Sequence, residues 1–256
     1  MRRPRPSSRS SSRKAVGVSG LVVTVDLFSA LLDSRRGAAQ ALSEVASELG
    51  WPDVDPRAVF DRWDHENKGL HKEQASSASW SSFRELATEA MVRVSEQLRL
   101  PGDPVVGTAM LLDSIPRWPT WPDSIEGLRR LTEVAHVGIL SNVDTDLLAG
   151  TAVIDHVDPD HLYTSERWRT YKPAERIYRL TQDAAASTGR AHLHVATSAR
   201  DVQGAVAAGI HLIHLRRDGV PGPEDSVGVT TVSSLTDAAD RVRERQDERE
   251  GRREDS

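Results

Sequence analysis

Beyond residue 122 the chain alternates short, β-branched apolar runs with helical periodicities, and this alternation restricts the fold more than any other feature. A helix carrying Ile125, Leu128, Leu131 and Val134 precedes a strand over residues 137–140, which ends at Ser141 and Asn142. A short strand near Leu162 and Tyr163 leads to a loop holding Lys172. The helix after Pro173 carries Ile177, Leu180 and Ala184. Strands over Ala191–Ala196 and 210–215 flank a helix predicted over 202–208, which stops at Gly209. Far upstream, Leu21–Val25 reads as one more buried strand, ending at Asp26. Strands joined through helices lie parallel with right-handed crossovers, so the expected class is α/β with a Rossmann-like core. Ligands of such sheets sit at the carboxyl ends of the strands.

From residue 35 to about 115 the pattern is helical only. Ala38, Ala41, Leu42, Val45 and Leu49 share one face, with Gly50 at the C-cap position. Asp55 and Pro56 open a second helix through Val59, Phe60 and Trp63, predicted to reach about Gly69. Phe83, Leu86, Ala87, Ala90, Met91, Val94 and Leu98 trace a third. A shorter helix follows through Val105, Val106, Ala109, Met110 and Leu112. The proline- and tryptophan-rich run 116–122 reads as a rigid, irregular hinge back to the core. The expected organisation is a disordered basic tail over 1–15, a core over 16–34 and 117–240, an all-helical cap over 35–116, and a charged tail over 241–256.

The chain contains no cysteine, which excludes thiol catalysis, disulfides and cysteine-ligated zinc. A net charge of -5 over 256 residues gives no reason to expect a nucleic-acid or membrane partner, and a small-molecule substrate is expected instead. No apolar run is long enough to span a bilayer, so a cytoplasmic location is expected.

Four polar residues fall where the sheet would gather them: Asp26, Ser141, Lys172 and Asp201. A carboxylate can attack and form an ester, an ammonium keeps it ionised, a hydroxyl orients it, and a second carboxylate anchors the lysine or assists water. Singly, each has a structural explanation, since Asp201 suits the N-cap of the following helix and Ser141 or Asn142 could cap as well. Their joint order favours chemistry.

The runs Val-Asp-x-Phe-Ser-Ala-Leu (25–31), Ile-Leu-Ser-Asn (139–142), Tyr-Lys-Pro (171–173) and His-Val-Ala-Thr-Ser-x-x-Asp (194–201) resemble, in order and spacing, the four motifs of the haloacid dehalogenase superfamily. The resemblance covers about residues 18–217 and is closest to the 2-haloacid dehalogenase-like branch with a helical cap. It implies Asp26 as nucleophile, Ser141 and Lys172 as its partners and Asp201 as the fourth-motif acid. Phe28, Asn142 and Ser198, with Arg62 and Trp63 in the cap, are the expected substrate contacts. Family members often form homodimers.

Two departures bear on the reaction. Phosphatases of the superfamily carry a proton-donating aspartate where this chain has Phe28, and a missing acid costs an alkoxide leaving group about 10²–10⁴-fold in rate. Halide needs no proton. Thr197 replaces one of the two acids that Mg²⁺-dependent relatives present, so no cofactor is expected; were Mg²⁺ used, Asp26 and Asp201 would hold it. The dehalogenase branch is itself matched imperfectly: Ser29, Ala30, Ala196 and Ser198 differ from its pattern, and Asp64 follows Trp63 where a halide-binding arginine is usual, leaving Arg62, His65 or Lys68 as substitutes. The first reading is therefore a dehalogenase-type hydrolase with an altered substrate shell. The alternatives are a Mg²⁺-dependent small-molecule phosphatase, with water or His65 as proton source, and a catalytically degenerate binding protein. His192 and His194 alternate on one strand face, with His211 and His214 on the next, and are expected to be solvent-facing or internally satisfied.

Overall fold

A computed structural model describes residues 20–74, 77, 79–223 and 228–254. The basic tail expected over 1–15 lies outside these residues. Six strands form one sheet: β1 (Leu21–Val25), β2 (His136–Ser141), β3 (Leu162–Thr164), β4 (Ala191–Ala196), β5 (His211–Leu215) and β6 (Thr230–Val232). They lie in the order β3-β2-β1-β4-β5-β6, and all five pairings are parallel. Every residue of β1 is buried, as befits a central strand covered on both faces. Each wholly buried Val or Leu there contributes about 1.5–3 kcal/mol. Strand β6 carries too weak an apolar pattern to be expected from sequence.

Four helices occupy the segment between β1 and the 116–122 run: α1 (Ser34–Leu49), α2 (Pro56–Gln74), α3 (Phe83–Leu98) and α4 (Pro104–Asp113). Asp33 caps α1 by accepting the Arg36 amide at 3.2 Å, and Gly50 closes it at a φ of 66°. Helix α2 runs on past Gly69, because Leu70 and His71 continue its buried face. Their burial outweighs the roughly 1 kcal/mol that a mid-helix glycine costs. Ser82 and Glu85 form a reciprocal capping box at the start of α3.

The two chain crossings between this insert and the sheet are tied to each other. Leu32 bridges Thr120, Asp33 donates its N–H to the Pro119 carbonyl at 2.8 Å, and Trp121 donates to the Leu31 carbonyl at 3.1 Å. The 116–122 run is thus more ordered than expected: Ile115–Arg117 forms a 3-10 turn, and the segment pairs with residues 31–33. Gly37 lets α1 approach Trp118 closely, where a Cβ would collide with the indole. The insert also docks through buried Asp144, whose carboxylate accepts the amides of Phe83 at 2.9 Å and Arg84 at 3.0 Å.

The remaining helices are α5 (Ser124–Thr132), α6 (Thr145–Ala149), α7 (Ser165–Trp168), α8 (Glu175–Ser187), α9 (Ala199–Ala207) and α10 (Leu235–Glu254). Helix α9 begins three residues earlier than its apolar pattern suggests, since Ser198 rather than Asp201 is its N-cap. The charged segment from 241 continues α10 as helix. Val242 is fully buried, and Gln246 donates to the Val134 carbonyl at 2.7 Å. Among the described residues, no helix is long and apolar enough to cross a membrane.

Candidate active site

The carboxyl ends of β1, β2 and β4 and the loop before α8 bring Asp26, Ser141, Asp201 and Lys172 together. All four are buried. The Lys172 ammonium donates to Asp26 Oδ1 at 2.7 Å, to Asp201 Oδ2 at 2.6 Å and to the Leu140 carbonyl at 3.0 Å, which uses its three protons. Ser141 Oγ donates to Asp26 Oδ1 at 3.1 Å. Both donors therefore converge on one oxygen, and Asp26 Oδ2 has no hydrogen-bond partner among the described residues.

Asn142 fixes the lysine from behind. Its Oδ1 accepts the Lys172 amide at 2.8 Å and its Nδ2 donates to the Lys172 carbonyl at 3.0 Å, so the residue expected to meet substrate also clamps the loop that carries Lys172. Asp201 is held from two further sides. Tyr178 donates its hydroxyl to Oδ1 at 2.7 Å, and His194 Nε2 lies 3.2 Å from Oδ2. On its other side, His194 Nδ1 lies 2.9 Å from Thr24 Oγ1, which in turn meets His192 Nε2 at 2.8 Å. His192 and His194 are thus buried members of a polar network rather than solvent-facing strand residues. Their alternation on β4, opposite a lone threonine in the apolar β1, was the available signal. Nothing in the sequence pointed to Tyr178.

Burial pushes the Asp26 carboxyl above its ordinary value, against the pull of the Lys172 ammonium. Burial acts the same way on Asp201, but Lys172 and His194 outweigh it and hold that carboxyl below the usual range. Burial alone would lower the Lys172 ammonium; its two carboxylates more than compensate and raise it.

These groups form the floor of a cavity of about 870 Å³ whose opposite wall is the face of α2. Phe28 stands on the wall, stacked on Phe83 at 5.8 Å and tilted against Trp118 at 5.8 Å. Trp63 and Ser198 line the cavity, as do His65 and Lys68. Arg62 does not: it is exposed and absent from the lining, because the helical turn that points Asp61, Asp64 and Lys68 inward turns residue 62 away. The wall also holds Asn67 and His71, one helical turn apart, with Asn67 Oδ1 and His71 Nε2 buried and unpartnered. Burial pulls the His71 imidazole down to about 3, so it is neutral. Arg217 was missed as well; it donates from Nη2 and Nε to the Ala30 carbonyl at 2.8 and 3.1 Å and fixes the loop after Asp26.

Mg²⁺ does not fit this arrangement. A cation, Lys172, already bridges the two carboxylates that would ligate the metal, and Tyr178 and His194 occupy Asp201 from its other sides. Thr197 supplies no charge, and a divalent ion beside the ammonium would be repelled.

No family model and no curated protein matches the chain. Solved structures do. The L-2-haloacid dehalogenase from Xanthobacter autotrophicus superposes with a TM-score of 0.72 at 20% identity, covering 88% of this chain and 98% of that one. The defluorinating L-2-haloacid dehalogenase Rha0230 gives 0.73 at 24% identity, with 87% and 94% covered. The putative HAD-hydrolase YfnB from Bacillus subtilis, solved with magnesium, gives 0.68 at 13%, with 86% and 97% covered. The chain has the haloacid dehalogenase fold, and the structures it superposes on include those of L-2-haloacid dehalogenases.

Proposed function

We propose that the chain is a hydrolase that displaces a leaving group at carbon, with Asp26 as nucleophile and no metal. The observation that carries this reading is the state of Asp26. One oxygen is fixed by Lys172 and Ser141 while the other is free, beneath a wall where Phe28 stands in place of a proton donor. Oδ2 attacks the substrate carbon, the carbon–halogen bond breaks, and halide leaves with the electron pair. Water then attacks the Asp26 carbonyl carbon of the ester. One water proton passes to the departing alkoxide and the other to solvent, and the carboxylate is restored. Lys172 offsets the negative charge that develops on the carbonyl oxygen, and Asp201 keeps Lys172 in place. The helical insert acts as a cap that excludes bulk water from the first step. The resemblance supports the same chemistry: the Xanthobacter enzyme has been solved with chloropropionic acid covalently bound.

The cavity supports a substrate larger than a three-carbon acid. Its volume lies in the range of about 300–1,000 Å³ that takes drug-sized ligands. Phe28, Phe83, Trp63 and Trp118 give it an aromatic wall, and exposed Arg36, Arg57 and Arg200 line it as well. A halogenated organic acid with an aromatic or bulky apolar body suits both features.

The test is a panel of 2-haloacids of increasing size beside aryl and sugar phosphates, each with Mg²⁺ and with chelator, and Asp26→Asn as control. Halide release that survives chelation and is lost in Asp26→Asn is the expected result. A single turnover in heavy-oxygen water should then yield product carrying ordinary oxygen, taken from Asp26. Phosphate release that depends on Mg²⁺ would overturn the reading in favour of a phosphatase.

A further inference from the structure

We propose that His136, Asp158 and His161 form a site for a first-row divalent transition metal of the zinc or cobalt class, at the end of the sheet opposite the cavity. His136 opens β2 and is level with Val22, whereas Asp26 follows the far end of β1. Asp158 and His161 belong to the turn that leads into β3. One ligand atom from each, all within 4.8 Å of one another, makes this the one such three-residue group among the described residues.

The spacing suits an ion. Asp158 Oδ2 lies 3.0 Å from His136 Nδ1 and 4.0 Å from His161 Nε2. Ligand atoms around one ion are roughly 3–4 Å apart, given bonds of about 2.0–2.2 Å. Two imidazoles and a carboxylate leave one position open for water, and this nitrogen-rich set selects transition metals over Mg²⁺ or Ca²⁺.

The simpler account is that Asp158 caps its turn, accepting the Asp160 amide at 3.0 Å, and pairs with His136. That account leaves His161 unexplained. Its Nε2 faces the same carboxylate oxygen from beyond hydrogen-bond distance, and its other nitrogen is 2.7 Å from the Tyr163 hydroxyl. A far nitrogen held by a second group is how ligating histidines are oriented. The turn is pinned to the sheet at Gly138, where any Cβ would collide with the His161 carbonyl. His136 and Asp158 are partly exposed, so an ion can enter from solvent. Arg190 and Asp160 are the charged neighbours of His161, and their signs offset.

Such an ion would clip the start of β2 to the turn before β3, away from the cavity. Its effect would fall on stability and not on turnover. The experiment is a Co²⁺ titration of untagged, chelator-stripped, full-length protein, read by visible absorbance, with Zn²⁺ by calorimetry and by thermal melting. Saturable 1:1 binding with a Kd of about 10 µM or tighter is expected, with a Tm rise of about 5 °C at a hundredfold excess over Kd. His136→Gln and His161→Gln should each weaken binding by about tenfold or more, with the first keeping the unliganded Tm. Absence of saturable Co²⁺ binding, or binding unchanged in both variants, would overturn the proposal.

Discussion

His194 Nε2 sits 3.2 Å from Asp201 Oδ2, and both residues are buried. The carboxylate that anchors Lys172 is therefore itself anchored from the middle of the sheet. His194→Gln can keep a hydrogen bond to Asp201, whereas His194→Leu cannot. We expect His194→Leu to lose about 1–3 kcal/mol of stability, the cost of leaving buried polar groups unpartnered. We expect His194→Gln to lose less than half of that. Urea denaturation of the two variants compares them directly, and equal losses would mean that the ring's volume rather than its hydrogen bond matters.

Asp26→Asn should abolish turnover, lowering kcat more than about 10³-fold, because an amide cannot form the ester. It should not lower stability. The Asp26 proton is bound more tightly in the folded chain than in the unfolded one, so ionised Asp26 costs stability as pH rises from the unfolded value through the raised folded value. Removing the charge removes that cost, and Lys172 keeps Asp201 as a partner. A Tm at pH 7 equal to or above that of the wild type is expected; a marked fall would show that the Asp26–Lys172 pair is net stabilising.

Asp201 has the opposite sign. Its folded value is depressed, so its stabilisation is present above the unfolded value and lost as pH falls through the folded one. Asp201→Asn should cost about 3–5 kcal/mol at neutral pH, since, unlike Asp26, this carboxylate is stabilised in its charged form, with Lys172, Tyr178 and His194 all turned to it. The difference from wild type should stay level between about pH 5 and 8 and shrink below about pH 4. Stability curves at several pH values test this, and a gap that widened on acidification would contradict it.

Ser29 adopts a φ of 68°, a left-handed conformation that costs a side-chain-bearing residue roughly 1–2 kcal/mol. Its amide donates to Ser34 Oγ at 3.1 Å and its carbonyl accepts the Trp121 indole N–H at 3.0 Å, and these bonds hold it there. Ser29→Gly keeps both, since they are made by the backbone. A gain of about 0.5–1 kcal/mol on denaturation is expected; a loss would mean that the Ser29 side chain supports the loop.

The sequence by itself determined the parallel α/β core, the helical insert, and the placing of Asp26, Ser141, Lys172 and Asp201 at strand ends or in the loop before a helix. Those features are local: apolar runs, period and punctuation mark strand ends whatever lies across from them. The tertiary structure decided which side chains meet. Arg62 was unplaceable because one residue along a helix turns a side chain by about 100°, and only packing sets which face of α2 looks inward. Tyr178 and His194 read as ordinary helix and strand residues until α8 and β4 are folded beside Asp201. His136 is separated by 22 and 25 residues from Asp158 and His161, and nothing but sheet register brings the three together. A linear pattern records the face on which a residue lies; the partner it finds there depends on strand order and helix rotation, which are properties of the whole fold.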